Sequence, residues 1–349
     1  MTGRRAVVLF NLGGPDQPAA VEPFLFNLFS DPAIITLPNP LRWLIAKMVS
    51  RRRAPIAREI YANIGGRSPL LPETEAQAQA LQALLNGEGQ PETRVFICMR
   101  YWHPMSAETA AAVAAFRPDE VVLLPLYPQY STTTSASSIK DWRRAAAAAG
   151  ISAAEKVACC YPAAPGFIAA EADLIARTLV EVAPGATPRV LFSAHGLPKK
   201  VIAAGDPYQW QVERTAAAVV AGLHGRGVTN FDWTVCYQSR VGPLEWIGPA
   251  TEDEIGRGGR DGVPLVVVPI AFVSEHSETL VELDIEYRHL AEEAGVPAYH
   301  RVPAVGVHKE FIAELAATVR AAAASPVACG HPSGGRLCPA DRTACPHAA

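Results

Sequence analysis

Residues 188–198 read PRVLFSAHGLP. The apolar run between Pro188 and the breakers Gly196 and Pro198 is the pattern of a buried strand that ends in a turn. His195 then stands at the carboxyl end of that strand. In an open α/β sheet this edge carries the loops that line a ligand crevice, although a histidine placed there is as often a hydrogen-bonded packing residue.

Strand and helix patterns alternate along the rest of the chain. Residues 6–11, 94–99, 121–126 and 153–160 read as strands of a first half, with connecting helices at 73–85 and 107–116. Residues 190–193, 232–237 and 266–270 read as strands of a second half, with helices at 166–182, 209–223 and 274–293. A length of 349 residues exceeds what one core usually fills. The alternation therefore predicts an α/β protein of two similar doubly wound domains, each a parallel sheet flanked by helices. Pro162 and Pro165 flank the boundary, which gives domains at 1–162 and 163–308, a helix at 309–324 that returns to the first, and a tail at 325–349.

After a second buried-strand run, PLVVVPIAF (264–272), a helix is expected from about Ser274. Glu278, Glu282 and Glu286 recur there at four-residue spacing and share one face, with Leu280, Leu283, Tyr287 and Leu290 on the other. An amphipathic helix with a solvated acidic face accounts for this pattern. Stacked carboxylates nevertheless repel, by roughly 0.2–0.5 kcal/mol per pair in an isolated helix, and the repulsion becomes useful if a divalent cation travels along the row. On a regular helix His276 lies about 200° from Glu278; a terminal position or a π-turn would bring the two together.

Net charge is −3 and the basic tract Arg51-Arg52-Arg53 is short, which argues against nucleic acid as a partner. Gly13-Gly14 and Gly65-Gly66 complete neither G-x-G-x-x-G nor a P-loop and read as tight turns. Residues 1–15, MTGRRAVVLFNLGGP, read as a first strand rather than a secretory signal. Apolar runs elsewhere fall short of the roughly 20 residues of a membrane span, so the expected location is the cytoplasm. PNPLRWLIAKMV (38–49) sets Trp43, Leu44, Ile45, Met48 and Val49 beside Arg42 and Lys47. Such a helix either packs on its own core or lies on lipid.

Blocks spread along nearly the whole chain are similar to those of the ferrochelatase family: LFNLGGP (9–15), YANIGGRSPL (61–70), CMRYWHP (98–104), LPLYPQYSTTTSASS (124–138), SAHGLP (193–198), YQSRVGPLEWIGPATEDEI (237–255) and SEHSETLVELDIEY (274–287). The resemblance implies a chelatase-like fold and insertion of Fe2+ into protoporphyrin IX, giving protohaem and two protons. By position His195 matches the family's active-site histidine, as base or metal holder, and Glu278 matches the carboxylate that faces it. His276 joins these two as a catalytic residue, and Glu282 and Glu286 continue an acidic row for the substrate iron or for protons. Leu12, Arg53, Tyr61, Arg100, Tyr101, Ser239 and Trp246 match positions around the macrocycle or its propionates. These residue types suit the chemistry: Tyr101 and Trp246 offer walls to an apolar disc, and Arg53 and Arg100 offer planar forks to carboxylates. Coproporphyrin or cobalt insertion and a non-catalytic porphyrin carrier are the alternative activities. The acidic row argues against the carrier, which needs no metal path. The resemblance also implies an apolar lip at the pocket mouth, hence a peripheral contact with the inner membrane, while the choice between monomer and homodimer stays open.

Cys329, Cys338 and Cys345 lie in a Gly/Pro-rich tail, SPVACGHPSGGRLCPADRTACPHAA (325–349), too poor in apolar residues to fold by its own burial. Three such cysteines in a cytoplasmic chain point to metal rather than disulfides. The resemblance implies a [2Fe–2S] cofactor held by these three and one internal cysteine. Ser131 and Thr132 stand in the block where the animal branch carries that internal ligand, which leaves Cys159 or Cys160. Strand alternation would point these two to opposite faces. Cys98 and Cys236 read as core residues. Zn2+ bound by the tail cysteines with His331 or His347, and a tail without any ligand, are the alternatives.

Overall fold

The computed structural model describes residues 3–87, 90–240, 244–331 and 334–347. Residues 241–243 of the YQSRVGPLEW block and residues 332, 333, 348 and 349 of the tail lie outside these. In chain order the strands are β1 (Arg4–Asn11), β2 (Glu92–Met99), β3 (Glu120–Pro125), β4 (Ala154–Ala158), β5 (Arg189–His195), β6 (Asp232–Gln238), β7 (Leu265–Pro269), β8 (Tyr299–Arg301) and β9 (Cys329–Gly330). The α-helices are α1 (Val21–Ser30), α2 (Leu41–Ala62), α3 (Leu70–Leu85), α4 (Ser106–Phe116), α5 (Ser135–Ala148), α6 (Pro165–Leu179), α7 (Lys199–Ala203), α8 (Tyr208–Gly225), α9 (Thr251–Asp261), α10 (Tyr287–Glu293) and α11 (Lys309–Ala324), with a π-helix at Glu278–Glu286.

The chain divides into two compact units, the first made of residues up to Cys160 together with 315–335, the second of Tyr161–Glu314 together with 336–347. In the first unit the sheet order is β2-β1-β3-β4-β9, and every pairing is parallel. Ala6, Val7, Val8, Leu9 and Phe10 of central β1 are all 0% exposed, so both faces of the strand are covered. A parallel strand in that position must be apolar at every residue, which is why it reads as an unbroken run. In the second unit the order is β6-β5-β7-β8, again parallel throughout.

Strand β5 is central in the second sheet and divides two cores by its alternation. Val190, Phe192 and Ala194 enter one core with Val212, Val219 and Val266. Leu191 enters the other with Cys236, Ile255, Val267, Leu283 and Tyr287. Position 195 shares the parity of Leu191, so the strand delivers His195 to the face that Leu283 and Tyr287 cover.

One expectation, the form of the helix after β7, needs correction. The helix expected from Ser274 begins at Ser277, and its first part is π rather than α. The partition between units falls at Cys160 and again within α11, between Glu314 and Leu315. In the tail, β9 joins the first sheet, where Val157 pairs with Cys329 and Cys159 N–H donates to Gly330 O at 2.9 Å; backbone pairing contributes to the support of this segment. Helix α2 buries the small residues Ala46, Ser50 and Ala54, while Trp43, Leu44 and Met48 are each about half exposed. It thus packs on its own core and still presents large apolar side chains. No helix among the described residues is long and apolar enough to cross a membrane.

Candidate active site

His195 Nδ1 lies 2.9 Å from Glu278 Oε2. A neutral imidazole makes this bond as a donor, which leaves the lone pair on Nε2. Glu282 sits beside Glu278, and Ser239 joins them: its Oγ is 2.5 Å from Glu282 Oε2 and 3.2 Å from Glu278 Oε2. Ser239 follows the last residue of β6 with φ of 59°, a left-handed conformation unusual for a residue with a side chain. The turn aims its backbone N–H at Glu282 Oε1, 2.9 Å away, so one strained residue directs two donors at one carboxylate. Tyr287 Oη donates to the same Oε1 at 3.1 Å.

Gln238 and Tyr287 complete this arrangement, and the sequence reading did not assign either of them to the site. Gln238 pairs in register with His195, and its Nε2 lies 3.5 Å from both carboxylates. Its place at the end of the strand next to β5 was the available signal. Gly196 admits the neighbouring chain: a Cβ there would lie 3.0 Å from Gln238 O and 3.4 Å from Trp246 Cε3. Trp246 is half-buried beside it, bridged to Pro198. His276 precedes the π-helix and is 8% exposed; its N–H donates to Thr279 Oγ1 at 3.0 Å, and its ring lies 4.5 Å from that of Phe272. Glu286 is exposed at the far end of the π-helix.

Electrostatics separates these groups. Burial alone would lower the His195 pKa, but the charge and hydrogen bond of Glu278, with Glu282 behind it, raise it above the ordinary imidazole value. Glu278 resists its own burial because His195 holds it well below the usual carboxylate range. Glu282 goes the other way: burial, then the charge of Glu278, raise it in spite of the bonds from Ser239 and Tyr287. Adjacent carboxylates do not both ionise easily, so the pair takes its protons in separate steps. Burial lowers the His276 pKa and keeps that ring neutral.

The remaining expected ligand-binding residues lie in the first unit, several of them at the carboxyl ends of its strands. Arg100 N–H donates to Asn11 O and Tyr101 N–H to Leu12 O, each at 2.9 Å, tying the loops after β1 and β2 together. Tyr101 is 1% exposed and its hydroxyl donates to Asp31 Oδ2 at 2.8 Å, so it presents no bare wall. Arg100 is likewise engaged, with Nη2 2.8 Å from Asp31 Oδ2 and Nε 2.8 Å from Ser137 Oγ. Arg53 is exposed, its guanidinium 6.0 Å from the Phe29 ring centre, and among the described residues it has no acidic partner. Tyr61 is 7% exposed and packs with Val21 and Ala54.

Cys98 and Cys236 are core residues, as expected. Cys159 and Cys160 do not point to opposite faces. Strand β4 ends at Ala158, pleat alternation stops there, and the two sulfurs lie 3.6 Å apart in an apolar cluster that includes Tyr130, with Cys329 packed against it. Cys338 is buried in the second unit, where Gln211 Nε2 donates to its sulfur at 3.1 Å.

A family model described as Ferrochelatase matches residues 4–323. The ferrochelatase of Phenylobacterium zucineum is 57% identical over 342 residues, 97% of each chain. That of Caulobacter vibrioides is 54% identical over 348 residues, 99% of this chain and 98% of that one. Among solved structures, SirB from Bacillus subtilis with Fe3+ has the same fold, with a TM-score of 0.54 and 13% identity over 92% of this chain and 96% of that one. With relatives this similar along almost its entire length, the chain belongs to the ferrochelatase family, lyases of haem biosynthesis that insert ferrous iron into protoporphyrin.

Proposed function

We propose that His195 is the base of metal insertion and that Glu278 and Glu282 receive the iron and the released protons. The observation that carries this reading is the 2.9 Å bond from His195 Nδ1 to Glu278. It holds the ring in the tautomer whose Nε2 accepts a pyrrole proton, and the adjacent carboxylate stabilises the imidazolium that forms. Glu282, already biased toward protonation, takes the second proton. Exposed Glu286 passes protons to solvent, and the incoming Fe2+, a substrate, is met by His195, Glu278, Glu282 and Glu286. His276 stays neutral and orients the start of the π-helix through Thr279.

Leu12, Tyr61, Ser239 and Trp246 border the macrocycle in this reading. Arg53, without an acidic partner among the described residues, meets a propionate, while Arg100 and Tyr101 act through the frame they build on Asp31. Anaerobic assay with Fe2+ and either protoporphyrin IX or coproporphyrin, followed by absorbance, tests the activity. Turnover is expected with protoporphyrin; a preference for coproporphyrin would reassign the substrate.

Replacing Glu278 by Gln separates the proton role from binding. The base works only when neutral, so the acid limb of the wild-type pH profile lies above the ordinary imidazole value, because the His195 pKa is raised. Removing the Glu278 charge takes away the main cause of the upward shift, leaves desolvation opposed only by Glu282, and lowers that pKa. The acid limb should move to lower pH while the plateau rate falls. An unmoved limb would mean that another group is the base.

The tail supplies Cys329, Cys338 and Cys345, and Cys159 or Cys160 completes a four-cysteine set of the kind a [2Fe–2S] cluster requires. Two observations support the fit: Cys329 packs against Cys159 and Cys160, and the Cys338 sulfur accepts an N–H bond as a thiolate ligand would. Ligand binding energy in such a set is also folding energy for the tail. The purified protein should then be reddish brown and bleach with dithionite, and Cys345→Ser should lose the colour and lower thermal stability. A colourless, zinc-containing preparation made anaerobically would refute it. The exposed Trp43, Leu44 and Met48 are the surface assigned to peripheral membrane contact; Leu44→Ser should reduce co-sedimentation with lipid vesicles.

A further inference from the structure

A nine-residue π-helix needs outside support, since i→i+5 bonding seldom extends beyond one turn inside an α-helix. Strand β8 provides it at two points. At the first, Tyr287 N–H donates to Glu282 O, not to Leu283 O, its partner in an α register. Leu283 O instead accepts the Tyr299 hydroxyl at 2.6 Å. Tyr299 is itself well fixed: it is 8% exposed, pairs with Leu265 of β7, and lies beneath the Arg288 guanidinium, 5.1 Å from its ring centre.

The second point is Arg301, two residues along and therefore on the same side of the strand. Its Nη1 lies 2.9 Å from Glu275 Oε1 and its Nε 2.8 Å from Asp284 Oδ2, with the side chain 10% exposed. One guanidinium thus joins the residue three positions before the π-helix to a residue within it. Glu275 also accepts Ala304 N–H at 3.0 Å, so the carboxylate is held from two directions.

We propose that Tyr299 and Arg301 are positioning residues for metal insertion: they hold Glu278–Glu286 in the π register, and that register aligns Glu278 with His195 and Glu282 with Ser239. Neither touches the reacting atoms. Relaxation to an α register absorbs one residue, which turns one side of the helix by about 100° and shifts it by about 1.5 Å relative to the other. The His195–Glu278 bond would not survive such a turn. This assignment rests on the role given above to the His195–Glu278 pair.

The test uses the full-length protein, with anaerobic iron insertion and porphyrin affinity measured separately. Tyr299→Phe removes only the hydroxyl and should lower kcat by about five- to tenfold, with the porphyrin KM unchanged. Arg301→Leu should lower kcat on the order of 10²-fold, the size expected when reacting groups are misplaced by about 1 Å. Arg301→Lys should recover part of that loss, because a point charge still reaches one of the two carboxylates. Unchanged kcat in Tyr299→Phe and Arg301→Leu, or losses that only track the amount of folded protein, would overturn the proposal. If Arg301→Leu does not fold, Tyr299→Phe and Arg301→Lys decide between the same outcomes. A crystal structure of Tyr299→Phe is the second arm, expected to show Leu283 O re-paired with Tyr287 N–H and Glu278 moved away from His195. An unchanged π-helix there sinks the proposal whatever the rate. Absence of iron insertion by the unaltered protein is a separate failure, one that removes the functional reading while the crystal structure still reports on the register.

Discussion

His195→Ala is expected to leave a folded protein that binds porphyrin and inserts iron about 10²–10⁴-fold more slowly, the range that a positioned acid or base contributes. The side chain is 41% exposed at the carboxyl end of β5, so its removal opens no core cavity. It leaves Glu278 without the partner that holds its pKa down. Burial, opposed then only by His276 and Ser239, raises Glu278 toward protonation, so the variant loses the base and weakens the carboxylate that would meet the iron. Steady-state rates beside fluorescence titration of porphyrin binding check this. Near-normal turnover with tight binding would remove His195 from the mechanism.

Phe192→Ala should have the largest effect on stability, a loss of about 3–5 kcal/mol. Phe192 is 0% exposed on the central strand of the second sheet and meets Trp233 edge-on, with ring centres 5.9 Å apart. Val190 and Ala194 flank it in the same core. Urea denaturation measures the change. Because Phe192 lies three residues before His195, the variant that remains folded should also show a lower kcat, through a less rigid strand end. A loss below about 1 kcal/mol would mean that this core does not set the stability of the second unit.

Some features were legible from residue order because a local pattern sufficed for them. Strands β1, β3, β5 and β7 are covered on both faces, and parallel strands in that setting must be apolar throughout, which marks them in any reading. Helix α11 was expected at 309–324 and occupies Lys309–Ala324. The two elements that carry His195 and Glu278 were likewise expected to converge, because each follows a buried strand and the carboxyl ends of parallel strands share one edge of the sheet.

Other elements escaped that reading for identifiable reasons. Helix α9 carries Gly256, Gly258 and Gly259, which read as helix breakers. In the folded chain a Cβ on Gly258 would lie 2.8 Å from Leu265 Cδ2, and one on Gly259 would strike Ala294 O, so the glycines serve close packing. Helix α5 opens with serines, residues that favour turns until tertiary contacts such as Arg100 Nε to Ser137 Oγ engage them. Tyr101 was expected as an aromatic wall, yet Asp31, seventy positions away, draws its hydroxyl inward.

Residue order by itself determined the alternation of strands and helices, the apolar cores, and the presence of a histidine and a row of carboxylates near one sheet edge, since all of these follow from the periodicity of neighbouring side chains. Tertiary structure alone decided the register of that row. The four-residue spacing of Glu278, Glu282 and Glu286 is compatible with an α-helix, and nothing local requires i→i+5 bonding. The π form depends on a hydroxyl and a guanidinium delivered by β8, while the left-handed turn at Ser239 delivers two donors to the carboxylate that the form brings into place. These are contacts between residues roughly 15 to 45 positions apart, and their free energy exists only after the sheet has formed.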